Sequence, residues 1–143
     1  MASVDGIVKT TRIIAETIRT DAVLSRHLQL LGAAEVMIVC FGSDSLNVYA
    51  IASRMTTLGW NLNTLQHPAS IHLCCTRCTT GRDAEFLGDL KGVVAEVAQL
   101  TAAGETAQIS GSAAIYGLTS SLPAGPVIAL LREYNDCILD VNA

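Results

Sequence analysis

The sequence predicts an α+β domain, a small three-stranded sheet with helices packed on it. Three observations point there. Helical apolar stripes recur along the chain, one β-branched apolar run lies between two of them, and two alternating segments flank a proline turn. At 143 residues the chain suits one domain with its own core, and no repeat or low-complexity linker divides it, so residues 1–143 are read as a single unit.

The elements follow in order. Ile7, Ile14, Ile18, Leu24, Leu28 and Leu31 fall at helical spacings, so Ile7–Leu31 reads as a helical segment, with Asp21 placed to cap its second piece. Gly32 ends it. "EVMIVCF" (Glu35 to Phe41) is an unbroken apolar run of strand length and reads as a strand buried on both faces. "GSDS" supplies a turn and helix-capping hydroxyl and carboxylate groups at Ser43, Asp44 and Ser45. Val48, Ile51, Ala52, Met55 and Leu58 then form one helical stripe, closed by Gly59 where a left-handed cap is usual.

"WNLNTL" alternates, with Trp60, Leu62 and Thr64 on one face, and "IHLCCT" alternates again after the turn "HPAS". The two read as a hairpin. Asp83 opens a long amphipathic helix carrying Phe86, Leu87, Leu90, Val93, Val94 and Val97, which runs out near Gly104. A Gly-, Ser- and Thr-rich stretch to Pro126 holds the apolar island "AAIYG", and a last helix is expected to bury Val127, Leu130, Leu131, Tyr134 and Ile138.

Composition narrows the functional classes. Half of the residues are hydrophobic and 15% are charged, against about a quarter in ordinary soluble domains, so some apolar surface is expected to meet a partner. A net charge of −4 with two lysines and no basic cluster argues against nucleic acid. No apolar run approaches the roughly 18 residues of a membrane span, and no signal or transit peptide is evident, so a soluble, cytosolic chain with no membrane segment is expected. Five cysteines without secretory features suggest reduced thiols.

"HPASIHLCCTRC" gathers His67, His72, Cys74, Cys75 and Cys78, which invites a metal reading. On a strand, however, His72, Cys74 and Thr76, with Cys78 next in the series, lie opposite Ile71, Leu73 and Cys75. A second ligand cluster is also missing, since Cys40 and Cys137 stand apart. Buried strand thiols and no metal are the expectation. Neither a G-x-S-x-G elbow nor a phosphate-loop lysine motif occurs, and "SGSAAIYG" reads as a loop with one docked apolar tip.

"GWNLNTLQHPASIHLCCT" resembles the hairpin of the C-terminal small domain of the sphingosine-1-phosphate lyases, fold-type I enzymes dependent on pyridoxal phosphate. "VKTTRIIAETIR" is similar to the helix joining the family's large and small domains. "VCFGSDSLNVYAIASRMTTLGW" resembles the strand, serine turn and helix before the hairpin, and "GSAAIYG" its late loop. The resemblance implies a C-terminal small domain, with Ile7–Leu31 as the helical connection from a large domain that is missing here. It implies cleavage of a long-chain-base phosphate to a fatty aldehyde and phosphoethanolamine, with pyridoxal phosphate bound by that large domain. The complete protein would be a homodimer, associated with the endoplasmic reticulum only where an N-terminal anchor is present. Lys9 and Lys91 match nothing in the family's cofactor-lysine context, so no catalytic residue and no cofactor-binding residue is expected in this chain.

Carried over position by position, the resemblance places Gly42, Ser43, His72 and Tyr116 along the substrate cleft. His72 and Leu73 stand where related decarboxylases hold an arginine for a substrate carboxylate, which suits a substrate with a phosphate and an alkyl chain. Structural roles compete at three positions: turn geometry for Gly42, a helix cap for Ser43 and a docking aromatic for Tyr116. The chain departs from the family at His67, usually an aromatic, and at Cys75 and Cys78, usually aliphatic, whereas Cys74 matches. Two other readings stand beside it, a stand-alone regulatory module with the same fold and a small metal-binding protein.

Overall fold

The computed structural model describes residues 4–105, together with residues 109, 114, 125, 126, 128, 129 and 132. The positions expected to be buried on the last helix (Val127, Leu130, Leu131, Tyr134 and Ile138), most of the "GSAAIYG" loop and Tyr116 lie outside the described residues. Helix α1 (Val4–Thr20) and the short α2 (Leu24–His27) lead into strand β1 (Gln29–Leu31). Strand β2 (Ile38–Gly42), helix α3 (Val48–Thr57), strands β3 (Leu62–Leu65) and β4 (Ser70–Cys74), and helix α4 (Asp83–Ala102) follow.

The strands form one antiparallel sheet in the order β1-β2-β4-β3. The sheet therefore has four strands where three were expected. The extra strand, β1, corrects the helical reading of Ile7–Leu31 at its end. Leu28 is already extended, and Leu30 pairs with Phe41 and Leu31 with Cys40. Asp21 does cap the second helical piece, as its Oδ1 accepts from the amides of Val23 and Leu24 at 3.0 and 3.1 Å.

Alternation sets the core. Val39 and Phe41 on β2, Ile71 and Leu73 on β4 and Leu62 on β3 point to one face, where they are buried against Ile14 and Ile18 of α1, Ile51 and Met55 of α3, and Leu90 and Val94 of α4. All six apolar positions read for the last of these helices are buried. Helix α3 is enclosed more widely than its stripe required, for Tyr49, Ala50 and Ser53 are also buried, while Leu58, counted in the stripe, is exposed. Gly59 ends it with φ +89°, the left-handed cap its position suggested.

One burial expectation fails. Strand β2 is buried on one face only, because Ile38 is exposed and Cys40 half-buried. The described helices cover the side facing Val39 and Phe41; on the opposite side Ile38 is exposed and Cys40, His72 and Cys74 are half-buried.

Candidate functional site

Two ends of the sheet can be distinguished. One holds Gly42, the start of β4 at Ser70, and the hairpin turn from Gln66 to Ala69, because Gly42 pairs with Ser70 and Ser70 in turn with Leu65. The other holds Cys74 and the turn that follows it, against which α1 begins: the Gly81 amide donates to Thr10 Oγ1 at 3.2 Å.

Gly42 and Ser43 lie together at the first end. A Cβ on Gly42 would sit 3.2 Å from the Ala69 carbonyl oxygen, so the hairpin turn approaches the β2 backbone where a side chain would intrude. Ser43 turns its Oγ inward on its own loop, accepting from the amides of Ser45 at 3.2 Å and Leu46 at 2.9 Å. It therefore caps the turn, not the helix. The helix cap is Asn47, whose Oδ1 accepts from Tyr49 and Ala50 at 3.0 and 3.4 Å. Sequence reading passed over Asn47, although asparagine directly before the apolar stripe is a strong cap signal.

His72 shares with Gly42 the sheet face opposite the described helices, displaced along it: it pairs with Cys40 on one side and Asn63 on the other. Its ring is half-buried. Three of the four cleft candidates are thus placed, with Gly42 and Ser43 adjacent and His72 one step along the same surface, while Tyr116 lies outside the described residues. Ile109, a described residue beyond α4, packs against the core and lines a cavity of about 270 Å³ with Ser43, Asn47, Tyr49 and Ala69, so the chain after α4 returns to this end. Tyr49 fastens the end further by donating its hydroxyl to the Leu65 carbonyl at 2.9 Å.

A polar recess of about 200 Å³ adjoins the same end, lined by Arg26, His27, Gln29, Asp44 and Ser45 among others. His27 Nδ1 stands 3.4 Å from Ser45 Oγ, a neighbour that helical reading of its segment did not foresee. Hydroxyls, amides and an imidazole gather here, and they can orient a polar ligand by hydrogen bonds.

The cysteine cluster disperses. Cys75 faces the core, where burial pushes its thiol pKa up, whereas Cys74 is half-buried on the opposite side. Cys78 is exposed, in the turn beyond β4, and so is no buried strand thiol. Among the described residues no group of three or more His, Cys, Asp and Glu is arranged to hold a metal ion. No described helix is long and apolar enough to cross a membrane.

Both lysines sit on helices. Lys9 is exposed on α1 next to Thr10, at the far end of the sheet from Gly42, and Lys91 on α4 places its Nζ 2.5 Å from Asp21 Oδ2. That contact, with the amides of Leu24 and Val23, holds the Asp21 carboxyl below the usual aspartate range. Neither amine joins Gly42, Ser43 and His72.

No family model matches the chain. It is similar to sphingosine-1-phosphate lyase of Oryza sativa, with 39% identity over 111 residues, covering 76% of this chain and 20% of that protein. Against the lyase of Drosophila melanogaster the identity is 30% over 129 residues, covering 87% and 23%. The structure of sphingosine-1-phosphate lyase from Burkholderia pseudomallei superposes with a TM-score of 0.59 at 27% identity, covering 70% of this chain and 22% of that one. The chain spans about a fifth of the length of the curated relatives it matches.

Proposed function

We propose that this chain, homologous over most of its length to one segment of the sphingosine-1-phosphate lyases, is the C-terminal small-domain part of such an enzyme. In the complete protein the reaction is cleavage of a long-chain-base phosphate to a fatty aldehyde and phosphoethanolamine. The observation that carries this reading is the asymmetry of coverage: most of this chain aligns, yet only about a fifth of each relative. α1 is then the connection from the large domain, and the complete enzyme is a dimer whose membrane association depends on a segment other than those described here.

The residues present do not fit pyridoxal phosphate by themselves. A Schiff-base lysine needs a free amine beside the reacting group. Lys91 is engaged by Asp21 and Lys9 lies at the wrong end of the sheet, so this chain alone neither holds the cofactor nor catalyses the reaction. Its contribution is a wall for the cleft. Gly42 lets the hairpin turn close on β2, Ser43 fixes the loop that follows, and His72 offers an imidazole on a surface whose strand positions carry no Asp, Glu, Lys or Arg. Those strand positions supply no fixed cation for a substrate carboxylate, in keeping with a substrate that has none, and the guanidinium of Arg26 lies in the neighbouring recess.

The coding sequence directly upstream tests the reading. A continuous frame encoding a large domain with its cofactor lysine is expected there; stop codons together with an independent promoter would instead favour a stand-alone module.

A further inference from the structure

At the corner where β3 begins and β4 ends, two cysteines, Cys74 and Cys78, line one cavity of about 260 Å³. Both thiols are free, Cys74 half-buried at the last position of β4 and Cys78 exposed in the turn beyond it. The turn explains why they share one space. The amides of Thr79 and Thr80 both donate to the Thr76 carbonyl at 3.1 Å, and the Cys78 amide donates to Thr76 Oγ1 at 3.3 Å, so the chain curls back after the strand. Cys75, between the two in sequence, points into the core instead. Trp60, Asn61, Asn63 and Arg82 wall the same cavity. Arg82 lies 4.5 Å over the Trp60 ring and interacts electrostatically with Cys78, while Glu85 accepts from its Nε and Nη2 at 2.8 and 2.7 Å.

We infer that Cys74 and Cys78 are a dithiol–disulfide pair, a site of reversible oxidation by a small disulfide such as glutathione disulfide. This goes beyond the small-domain reading and does not depend on it. Cys78 stands where the lyase resemblance usually has an aliphatic residue, so the family's shared chemistry does not call for the pair. Cys78 reacts first, because the attacking sulfur must reach its target and only Cys78 of the two is exposed. Its thiolate attacks one sulfur of glutathione disulfide; a bond forms between Cys78 and that sulfur, the glutathione S–S bond breaks, and one glutathione leaves as its thiolate. Arg82 and the side-chain amides of Asn61 and Asn63 suit the carboxylates and peptide groups of the attached tripeptide. Cys74, its proton given to solvent, then attacks the Cys78 sulfur and expels the second glutathione. The pair loses two electrons and two protons, and the oxidant is reduced to two molecules of glutathione. The turn that this bond closes is the one on which α1 rests, through the Gly81 amide and Thr10 Oγ1.

The arginines separate these thiols for the test. Cleavage after Arg54, Arg77 and Arg82 puts Cys74 and Cys75 on the peptide 55–77 and Cys78 on the peptide 78–82. The reduced chain would be incubated without oxygen in excess glutathione disulfide, quenched with N-ethylmaleimide, digested with trypsin and followed by mass spectrometry. The expected product is these two peptides joined, with fragmentation placing the bond on Cys74. Trp60 fluorescence should fall as the bond forms and recover with dithiothreitol, since the ring walls the same cavity. Cys74→Ser should stop at a glutathione adduct of Cys78, and Cys78→Ser should slow oxidation of Cys74 at least about tenfold. Neither position belongs to the core, so far-UV circular dichroism should be retained; were a variant to unfold, the joined peptides of the unaltered chain decide alone. Glutathione that stays on Cys78 with no link formed, a link from Cys78 to Cys75, or a link from Cys74 to Cys40, which lies diagonally across on β2, would overturn the inference. So would a Cys78 that alkylates freely and never takes up glutathione.

Discussion

Removing the Asp89 carboxylate by Asp89→Ala should cost the fold about 1 to 2.5 kcal/mol, for reasons visible around the chain's single tryptophan. Trp60 stands just before β3 and is nearly buried, and its Nε1 donates to Asp89 Oδ2 at 2.7 Å, tying the hairpin to α4. The ring meets Phe86 edge-on at 5.1 Å between centroids, and the Arg82 guanidinium lies 4.5 Å above it. Truncation leaves a buried N–H without its acceptor, a loss of about 1.5 to 3 kcal/mol for a bond to a charged group. Alanine's better helix propensity returns about 0.5 kcal/mol. The measurement is urea unfolding followed in parallel by Trp60 fluorescence and circular dichroism. With a slope of about 2 kcal/mol per molar, the midpoint should fall by roughly 0.5 to 1.2 M. Asp89→Asn keeps an acceptor and should lose about half as much. A midpoint unmoved within about 0.1 M, or an asparagine variant as damaged as the alanine one, would refute the hydrogen bond as the source of the stability.

Other perturbations have equally definite outcomes. Because Lys91 holds the Asp21 pKa down, the pair adds stability that is complete above the ordinary carboxylate range and is lost as pH falls through the lowered value, so Asp21→Asn should flatten the decline in stability below about pH 4 in pH-dependent melts. Phe41→Ala, at a fully buried position in the middle of the sheet, should cost about 3 to 5 kcal/mol and show as a large drop in melting temperature. Gly59→Ala should cost about 1 to 2 kcal/mol in denaturant titration, entirely through its φ of +89°, since nothing lies within 4 Å of the added Cβ.

The sequence was most legible where one periodicity dominates. Helix α4 repeats its apolar positions over 20 residues, and the hairpin alternates on both arms, so their type and inward faces follow from pattern alone. Strand β1 escaped notice because Leu24, Leu28 and Leu31 fit a helix as well as a bend, and three residues become a strand only by pairing with β2, a contact that no local pattern encodes. The apolar run before Gly42 was ambiguous in another way. Burial on both faces and burial on one face with a second awaiting a partner produce the same residues, and the exposure of Ile38 separates them. At the candidate site, the face of His72 was readable from alternation, whereas the role of Ser43 was not, since a hydroxyl in such a turn can serve either the loop or the helix and Asn47 had already taken the helix.

Reconstitution tests the central claim most directly. The chain alone, then the chain with the rice lyase polypeptide lacking its matching segment, would be supplied with pyridoxal phosphate and a long-chain-base phosphate, and fatty aldehyde would be measured. The account predicts no aldehyde and no Schiff-base absorbance from the chain alone, and aldehyde formation once the two are combined. Aldehyde from the chain by itself, or a combination that forms a complex and stays inactive, would contradict it.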